Sequence, residues 1–348
     1  MKNKKGVTYK DSGVDIDEGA KSVELISKHV NSTHDRRVLG GIGAFGGLFD
    51  ISDLLRSYKN PVLVQSIDGV GTKLMVATLA KKHTTVGIDI VNHGCNDILC
   101  QGAKGITFLD YIAMSKLSAI QVEEIMRGMA SACKEAGIAI LGGETAELPG
   151  MYRENEYDIA GIITGVVERE RIVNGRSIKP GDVLVGLASN GLHTNGYTLA
   201  RKVFFDIAGL GIDDTPDRFD ATVGESLLRP HTNYAPAVLE FLENHTVEGM
   251  AHITGGGIAG NLIRILPEKT EAVIKRGSWP SLPVFDFIRE KGEVPQDDMD
   301  RAFNNGIGFI IVMNKGRAES AIEFFNSKGH PAFLIGDIVE GERGVRFR

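Results

Sequence analysis

The sequence predicts an α/β (α+β) protein built from two domains, each mixing sheet and helix. Three observations carry this. At 348 residues the chain is long for one hydrophobic core and ample for two. In both halves, short β-branched runs alternate with stretches of helical period. Between the halves, Arg169 to Pro180 is charged and lacks an apolar pattern. That places a boundary there and divides the chain into residues 1–168 and 169–348.

Asp17 to Val30 reads as an amphipathic helix with Val23, Ile26 and Val30 on one face. Pro61 to Ser66 is a short buried strand, Leu74 to Leu79 begins a helical stretch, and Thr85 to Ala103 is a largely buried helix. Ile106 to Met114 is strand-like. Ser118 to Ala136 is the clearest helix: Val122, Ile125, Met126, Met129 and Cys133 repeat at helical spacing, Ser118 and Gln121 fit a capping box, and Gly137 ends it. Ile138 to Leu141 is a buried strand that stops at Gly142-Gly143, and Tyr157 to Val167 is a longer one. The second half restarts with a strand over Asp182 to Ala188. Helices follow near Gly196–Phe205, Asn233–Glu243 and Ile258–Ile265, with strands at Glu271–Lys275, Gly308–Met313 and Ala332–Ile335.

A formal charge of −6 argues against a nucleic-acid partner, whose phosphates call for a basic surface. No apolar run approaches the ~20 residues that span a bilayer. Met1 to Asp17 is polar, without the apolar stretch of a secretory signal, so a cytoplasmic protein with no membrane partner is expected. Cys95, Cys100 and Cys133 are odd in number and lack metal-ligand spacing, which reads as unpaired thiols in a reducing compartment.

Glycine is the outlier, 43 of 348 residues, clustered where backbone must turn or admit a ligand. Gly41-Ile42-Gly43-Ala44-Phe45-Gly46 matches a dinucleotide fingerprint in form, but polar Asn31 to Leu39 precedes it where a strand is required. A ligand-covering loop fits better. Asp68-Gly69-Val70-Gly71-Thr72-Lys73 closes an apparent strand. It suits a polyphosphate with a hard cation on Asp68 and a point charge on Lys73; a plain Asp-Gly turn with a surface lysine is the alternative. Asp89, Asn96 and Asp97 share roughly one helical face among apolar neighbours, where a carboxylate needs a partner or a metal; a buried cap is the alternative, and His93 reads as structural. Gly142 to Gly150 delivers Glu144 and Glu147 after a strand, Glu147 being open to a capping role. Ser189 to Tyr197 sets Ser189, Asn190, His193, Thr194 and Asn195 before a helix, a pocket for phosphate or amide in which Thr194 or Asn195 also suits a cap. Thr254 to Gly257, three glycines before a helix, suggests anion or ligand approach with a flexible turn as the alternative, and Phe303 to Gly308 is similar and weaker.

Together these segments resemble the aminoimidazole ribonucleotide synthetase family. Tyr9 to Asp17, Asp68 to Lys73, Asn96-Asp97 with Gln101-Gly102-Ala103, Phe108 to Tyr111, Gly142 to Tyr152, Ser189 to Tyr197, His252 to Gly257 and Phe303 to Gly306 all match in family order. Ser66-Ile67 and His93-Gly94-Cys95 depart from the family's usual residues. The resemblance implies a fold shared with selenophosphate synthetase and thiamine-monophosphate kinase. It also implies a homodimer whose N-terminal domains build a barrel across the interface, with ATP in a cleft nearby. The implied reaction closes the imidazole ring of formylglycinamidine ribonucleotide, using ATP and Mg²⁺ and releasing ADP and phosphate.

By motif position the resemblance implies a Mg²⁺ set of Asp68, Asp89, Asp97 and Glu144. ATP falls to Lys28, Gly41, Gly43, Gly46, Asp68, Gly69, Gly71, Thr72 and Lys73. The substrate falls to Glu144, Ser189, Asn190, His193, Thr194, Asn195, Thr254 and Gly255, and the chemistry to His193, Lys73 and Asp97. A small-molecule kinase of the same superfamily, or a silent nucleotide-binding scaffold, are the competing classes.

Overall fold

The structure, a computed structural model, describes residues 12–348. Tyr9 to Asp11, the start of the first family-like segment, lie outside the described residues. The N-terminal half runs α1 (Ile16–Asn31), α2 (Ser52–Ser57), β1 (Pro61–Gly69), α3 (Lys73–Ala80), α4 (Thr84–Leu99), β2 (Lys104–Met114), α5 (Ala119–Ala136), β3 (Ala139–Glu147) and β4 (Tyr157–Glu168). The C-terminal half runs β5 (Asp182–Ala188), α6 (Tyr197–Arg201), a π-helical stretch (Lys202–Ile207), α7 (Val223–Leu227), α8 (Ala235–Asn244), β6 (Gly249–His252), α9 (Gly257–Leu262) and β7 (Thr270–Ile274). It ends with α10 (Pro283–Lys291), α11 (Gln296–Ala302), β8 (Ile307–Asn314), α12 (Ala318–Ser327), β9 (Ala332–Glu340) and β10 (Gly344–Phe347). Two sheets result, ordered β1-β4-β2-β3 and β10-β7-β9-β5-β8-β6. The mixed α/β class expected from the sequence is what forms.

The two sheets differ in how they are covered. In the six-stranded sheet β5 and β8 are buried nearly throughout, and alternate residues feed two apolar clusters, Val183, Val185 and Ile311 on one side and Leu184, Ile310 and Val312 on the other. Such runs lie in sheets covered on both faces. The four-stranded sheet is covered on one face, by α1, α4 and α5. Its other face leaves Leu63, Ile67 and Leu109 exposed. No helix among the described residues is long and apolar enough to cross a membrane.

Helix α5 shows why the sequence pattern was readable. Val122, Ile125, Met126, Met129 and Cys133 are all buried, Ser118 Oγ accepts the Gln121 amide, and Gly137 turns left-handed at φ 69°. The Gln121 side chain does not complete the capping box; its Nε2 lies 3.5 Å from His83 Nδ1. Strand β3 corrects another expectation, since it continues through Gly142-Gly143 to Glu147, paired with Leu109 to Met114 of β2. At its end Glu147 accepts the amides of Asp15 and Leu117, which makes it the clasp that starts α1 and leads into α5. Cys95 and Cys133 are buried free thiols, and Cys100 is half-buried.

Helices α4 and α5 meet backbone to backbone. A methyl at Gly128 would lie 1.9 Å from the Thr84 carbonyl oxygen, and one at Gly87 2.0 Å from that of Ile125. Gly128→Ala must push the helices apart and is expected to cost about 1–3 kcal/mol, read as a lower urea midpoint with an unchanged slope. In the middle of the sheet, burial pushes the Asp110 carboxyl up to about 7. Between its ordinary value of 3.8 and about 7 the folded chain holds this proton and the unfolded chain does not. Stability is therefore lost as pH rises through that window. Asp110→Asn removes the loss, so its stability relative to the parent rises from pH 5 to pH 8, by on the order of 2–3 kcal/mol. Equal differences at the two pH values in denaturant titrations would refute this.

Candidate functional site

Helix α4 carries Asp89, Asn92, His93, Asn96 and Asp97, the i, i+3, i+4, i+7, i+8 positions of one helical face. That polar stripe faces the C-terminal half and divides into two parts.

Asp89, Asn92 and Asn96 hold the segment 229–234 by its backbone. Asp89 Oδ1 accepts the His231 amide at 2.6 Å, and Asn92 Nδ2 donates to the His231 carbonyl at 2.8 Å. Asn96 donates to the Thr232 carbonyl at 2.8 Å and accepts the Tyr234 amide at 2.9 Å. Lys73, at the start of α3, completes this seam. Its ammonium lies 2.7 Å from Asp89 Oδ2 and donates to the carbonyls of Arg229 (2.8 Å) and His193 (3.1 Å). Both side chains are wholly buried. Burial pulls Lys73 down and pushes Asp89 up, each opposed by the other's charge. Three acceptors meet the three N–H groups of an ammonium.

Asp97 instead faces a cleft of about 650 Å³ between the halves, lined also by Ser66, Asp68, His252, Thr254 and Arg264, and His93 is buried against its carboxylates. Asp68 comes from β1 and His252 from β6. His93 Nε2 lies 2.9 Å from Asp68 Oδ2 and 3.6 Å from Asp97 Oδ2. Asp97 Oδ1 meets His252 Nδ1 at 2.8 Å, and Ser66 Oγ donates to Asp97 Oδ2 at 3.0 Å. Burial pushes both carboxyls up, but the histidines beside them outweigh it, and Asp68 and Asp97 sit below their ordinary values. Burial likewise opposes protonation of His93, yet its bond to Asp68 and the surrounding carboxylates raise it above the usual histidine value.

Behind this cleft lies a buried imidazole cluster. His231 Nε2 meets His252 Nε2 at 2.8 Å, and Thr194 Oγ1 bridges His93 Nδ1 (3.0 Å) and His231 Nδ1 (3.4 Å). His193 stacks on His231 at 4.0 Å with φ 62°, and neither of its ring nitrogens has a hydrogen-bond partner among the described residues. Burial, and after it the neighbouring cationic groups, hold His193 and His231 well below the ordinary value, so both rings are neutral.

Residues 52–167 match the family described as AIR synthase related protein, N-terminal domain, and residues 179–347 match its C-terminal domain. A phosphoribosylformylglycinamidine cyclo-ligase of Alkaliphilus oremlandii (strain OhILAs) is 48% identical over 339 residues, spanning 97% of this chain and 99% of that one. One of Myxococcus xanthus (strain DK1622) is 48% identical over 337 residues, spanning 97% of both. The chain belongs to the phosphoribosylformylglycinamidine cyclo-ligase family. As a cyclo-ligase it is an enzyme. Among solved structures, thiamine-monophosphate kinase from Stenotrophomonas maltophilia K279a shares the fold at TM-score 0.70 and 18% identity, covering 94% of this chain and 95% of that one. Hydrogenase maturation protein HypE in complex with ATP does so at TM-score 0.67 and 18% identity, covering 94% and 90%.

The site residues expected of a cyclo-ligase fall into separate groups. Asp68 and Asp97 share the cleft with Thr254. Asp89 and Lys73 are engaged with each other behind it, so in this structure neither a metal nor a phosphate reaches them. Glu144 lies elsewhere. Asp68, Gly161, Asp110 and Gly143 form one row across the sheet, so Glu144, next to Gly143, stands three strand spacings from Asp68, about 14 Å. It cannot share an ion with Asp68 of the same chain. Lys28 and the exposed Gly41, Gly43 and Gly46 belong to that far side too, where Gly47 abuts Leu141 and α1 packs on β3.

Gly69 closes β1, while Gly71 and Thr72 line a second cavity of about 580 Å³ with Tyr152, Asp158 and Arg201. In the C-terminal half Ser189 bonds Asn304, Asn190 bonds the Pro230 carbonyl, Asn195 lies against Thr194 and Gly255, and Asn261 holds the Gly255 carbonyl. His231, His252 and Arg264 were missed by sequence reasoning. The polar stripe could have added Asn92 and His93 to the site, but nothing local marks His231.

For a magnesium ion the fit is partial and sufficient. Mg²⁺ is commonly held by one or two carboxylates, the other positions going to phosphates and water, and Asp68 and Asp97 offer that pair on the cleft wall. Lys73→Met would leave Asp89 buried and uncompensated, at a cost of about 3–5 kcal/mol. Urea unfolding of that variant and of Lys73→Met/Asp89→Leu checks this; the double variant should regain part of the loss.

Proposed function

We propose that this cyclo-ligase closes the imidazole ring of 5-aminoimidazole ribonucleotide from formylglycinamidine ribonucleotide in the cytoplasm, as a step of de novo purine synthesis that consumes ATP. The observation that carries this reading is the match to curated phosphoribosylformylglycinamidine cyclo-ligases along nearly the full length of both chains. The ATP-bound HypE of the same fold supports nucleotide use.

The chemistry calls for carboxylates and needs no protein nucleophile. A formamide oxygen is a poor leaving group. Transfer of the terminal phosphoryl of ATP to that oxygen makes it a good one, and the substrate's own amidine nitrogen then displaces phosphate. Both reacting ends belong to one molecule, so the protein chiefly folds and holds it. Asp68 and Asp97 would hold Mg²⁺, which supplies neutralising charge to the phosphates. Arg264, the cation of the cleft lining, is the partner for the ribonucleotide phosphate, with Thr254 and Gly255 beside it.

His193 and Lys73 act in this reading by fixing the Ser189–Tyr197 segment, whose Ser189, Asn190, Thr194 and Asn195 shape the substrate side. Lys28, Gly41, Gly43, Gly46 and Glu144 sit too far from Asp68 to serve the same cleft. A second copy laid on the exposed face of Leu63, Ile67 and Leu109 would complete the intersubunit barrel and supply that far edge from the other chain. Two facing sheets lie about 10 Å apart, closer than the two edges of one sheet.

Incubation with formylglycinamidine ribonucleotide, ATP and Mg²⁺ should yield ADP and aminoimidazole product in equal amounts. ADP without cyclised product would point to a kinase instead. Asp97→Asn should lower kcat by at least ~100-fold with an unchanged circular dichroism spectrum, and near-normal turnover would remove Asp97 from the chemistry.

A further inference from the structure

The donor atoms on the cleft wall are richer in nitrogen than magnesium calls for. We propose that His93, Asp97 and His252 form a binding site for a zinc-class transition-metal dication, which on binding pins β6 to α4 and withdraws Asp97 from a nucleotide's magnesium. The site rests on donor geometry alone; only the competition with magnesium rests on the reading above.

Ligand atoms of His93, Asp97 and His252 all lie within 4.8 Å of one another. The two Asp97 oxygens stand 2.8 Å from His252 Nδ1 and 3.6 Å from His93 Nε2. Tetrahedral coordination at ordinary zinc–nitrogen and zinc–oxygen lengths needs donor separations of about 3.3 Å, and these two values lie on either side of it, with water left for the fourth position. His93 and Asp97 are one helical turn apart on α4, so the helix itself sets two of the three protein donors.

The ring nitrogens facing away are already held. His93 Nδ1 lies on Thr194 Oγ1, and His252 Nε2 lies on His231 Nε2. The tautomer that frees His252 Nδ1 for a metal places its proton on Nε2, where neutral His231 accepts it. Outer partners of this kind orient metal-bound histidines. Both rings are buried, so their orientation is fixed before an ion arrives. Two imidazoles with one carboxylate favour zinc, cobalt or manganese over magnesium, which prefers oxygen donors.

The test titrates the untagged full-length chain, stripped of metal, with Zn²⁺ by calorimetry and with Co²⁺ by visible absorption. One equivalent should bind. Co²⁺ should give the intense visible bands of four-coordinate geometry without a thiolate charge-transfer band, and Zn²⁺ should raise the melting temperature. His252→Ala should weaken Zn²⁺ binding by at least ~100-fold. Absence of binding, a weak six-coordinate spectrum, a thiolate band implicating Cys100, or unchanged affinity in folded His252→Ala would each overturn the site. Should His252→Ala not fold, the spectrum of the parent chain decides. Mg–ATP binding measured with and without one equivalent of Zn²⁺ tests the competition, and unchanged nucleotide affinity would overturn that part. Nucleotide binding without any zinc site would leave the cyclo-ligase reading standing and sink this one alone.

Discussion

An ammonium group taken out of water must find acceptors for all its protons, and Lys73 finds them in Asp89 and in two carbonyls of the other half of the chain. The geometry of the cleft depends on that arrangement. It fixes α3 and α4 against the segments that carry His193 and His231, and so sets the distance between the wall bearing Asp68 and Asp97 and the wall bearing His252. Buried ion pairs add little net stability compared with apolar packing. What this one supplies is position: each partner can be satisfied only when both halves of the chain are docked.

The remainder of the α4 face follows from the same constraint. A stripe of polar residues on an otherwise apolar helix is tolerable only if each finds a partner. Asn92 and Asn96 find backbone, while His93 finds Asp68 and Asp97, and Asp97 reaches the cleft. One helical face thus serves as a docking rail along most of its length and as a site wall at its end. That is why docking and site geometry cannot be altered independently.

Most of the elements were legible in the sequence because their burial is local and periodic. Val122 to Cys133 in α5 and the unbroken apolar runs of β5 and β8 announce themselves. Strand β3 was cut short because Gly142-Gly143 reads as a stop, whereas pairing with β2 carries the strand through it. The pairing of Lys73 with Asp89 was hidden for a related reason: their residue types fit phosphate and metal as well as they fit each other, and only the packing of distant segments brings them together. Glu144 looked like a companion to Asp68 because a linear motif carries no information about which sheet edge it will occupy. His231 sits in an irregular segment and His252 in a four-residue strand, neither with a period to betray it.

The segment 229–234 is gripped through its amides and carbonyls. Contacts of that kind are indifferent to which side chain hangs from the gripped backbone. Sequence drift across this junction should consequently be lopsided: positions such as Thr232 are free to change without loosening the clasp, while the asparagines opposite, whose amide groups do the gripping, tolerate almost nothing.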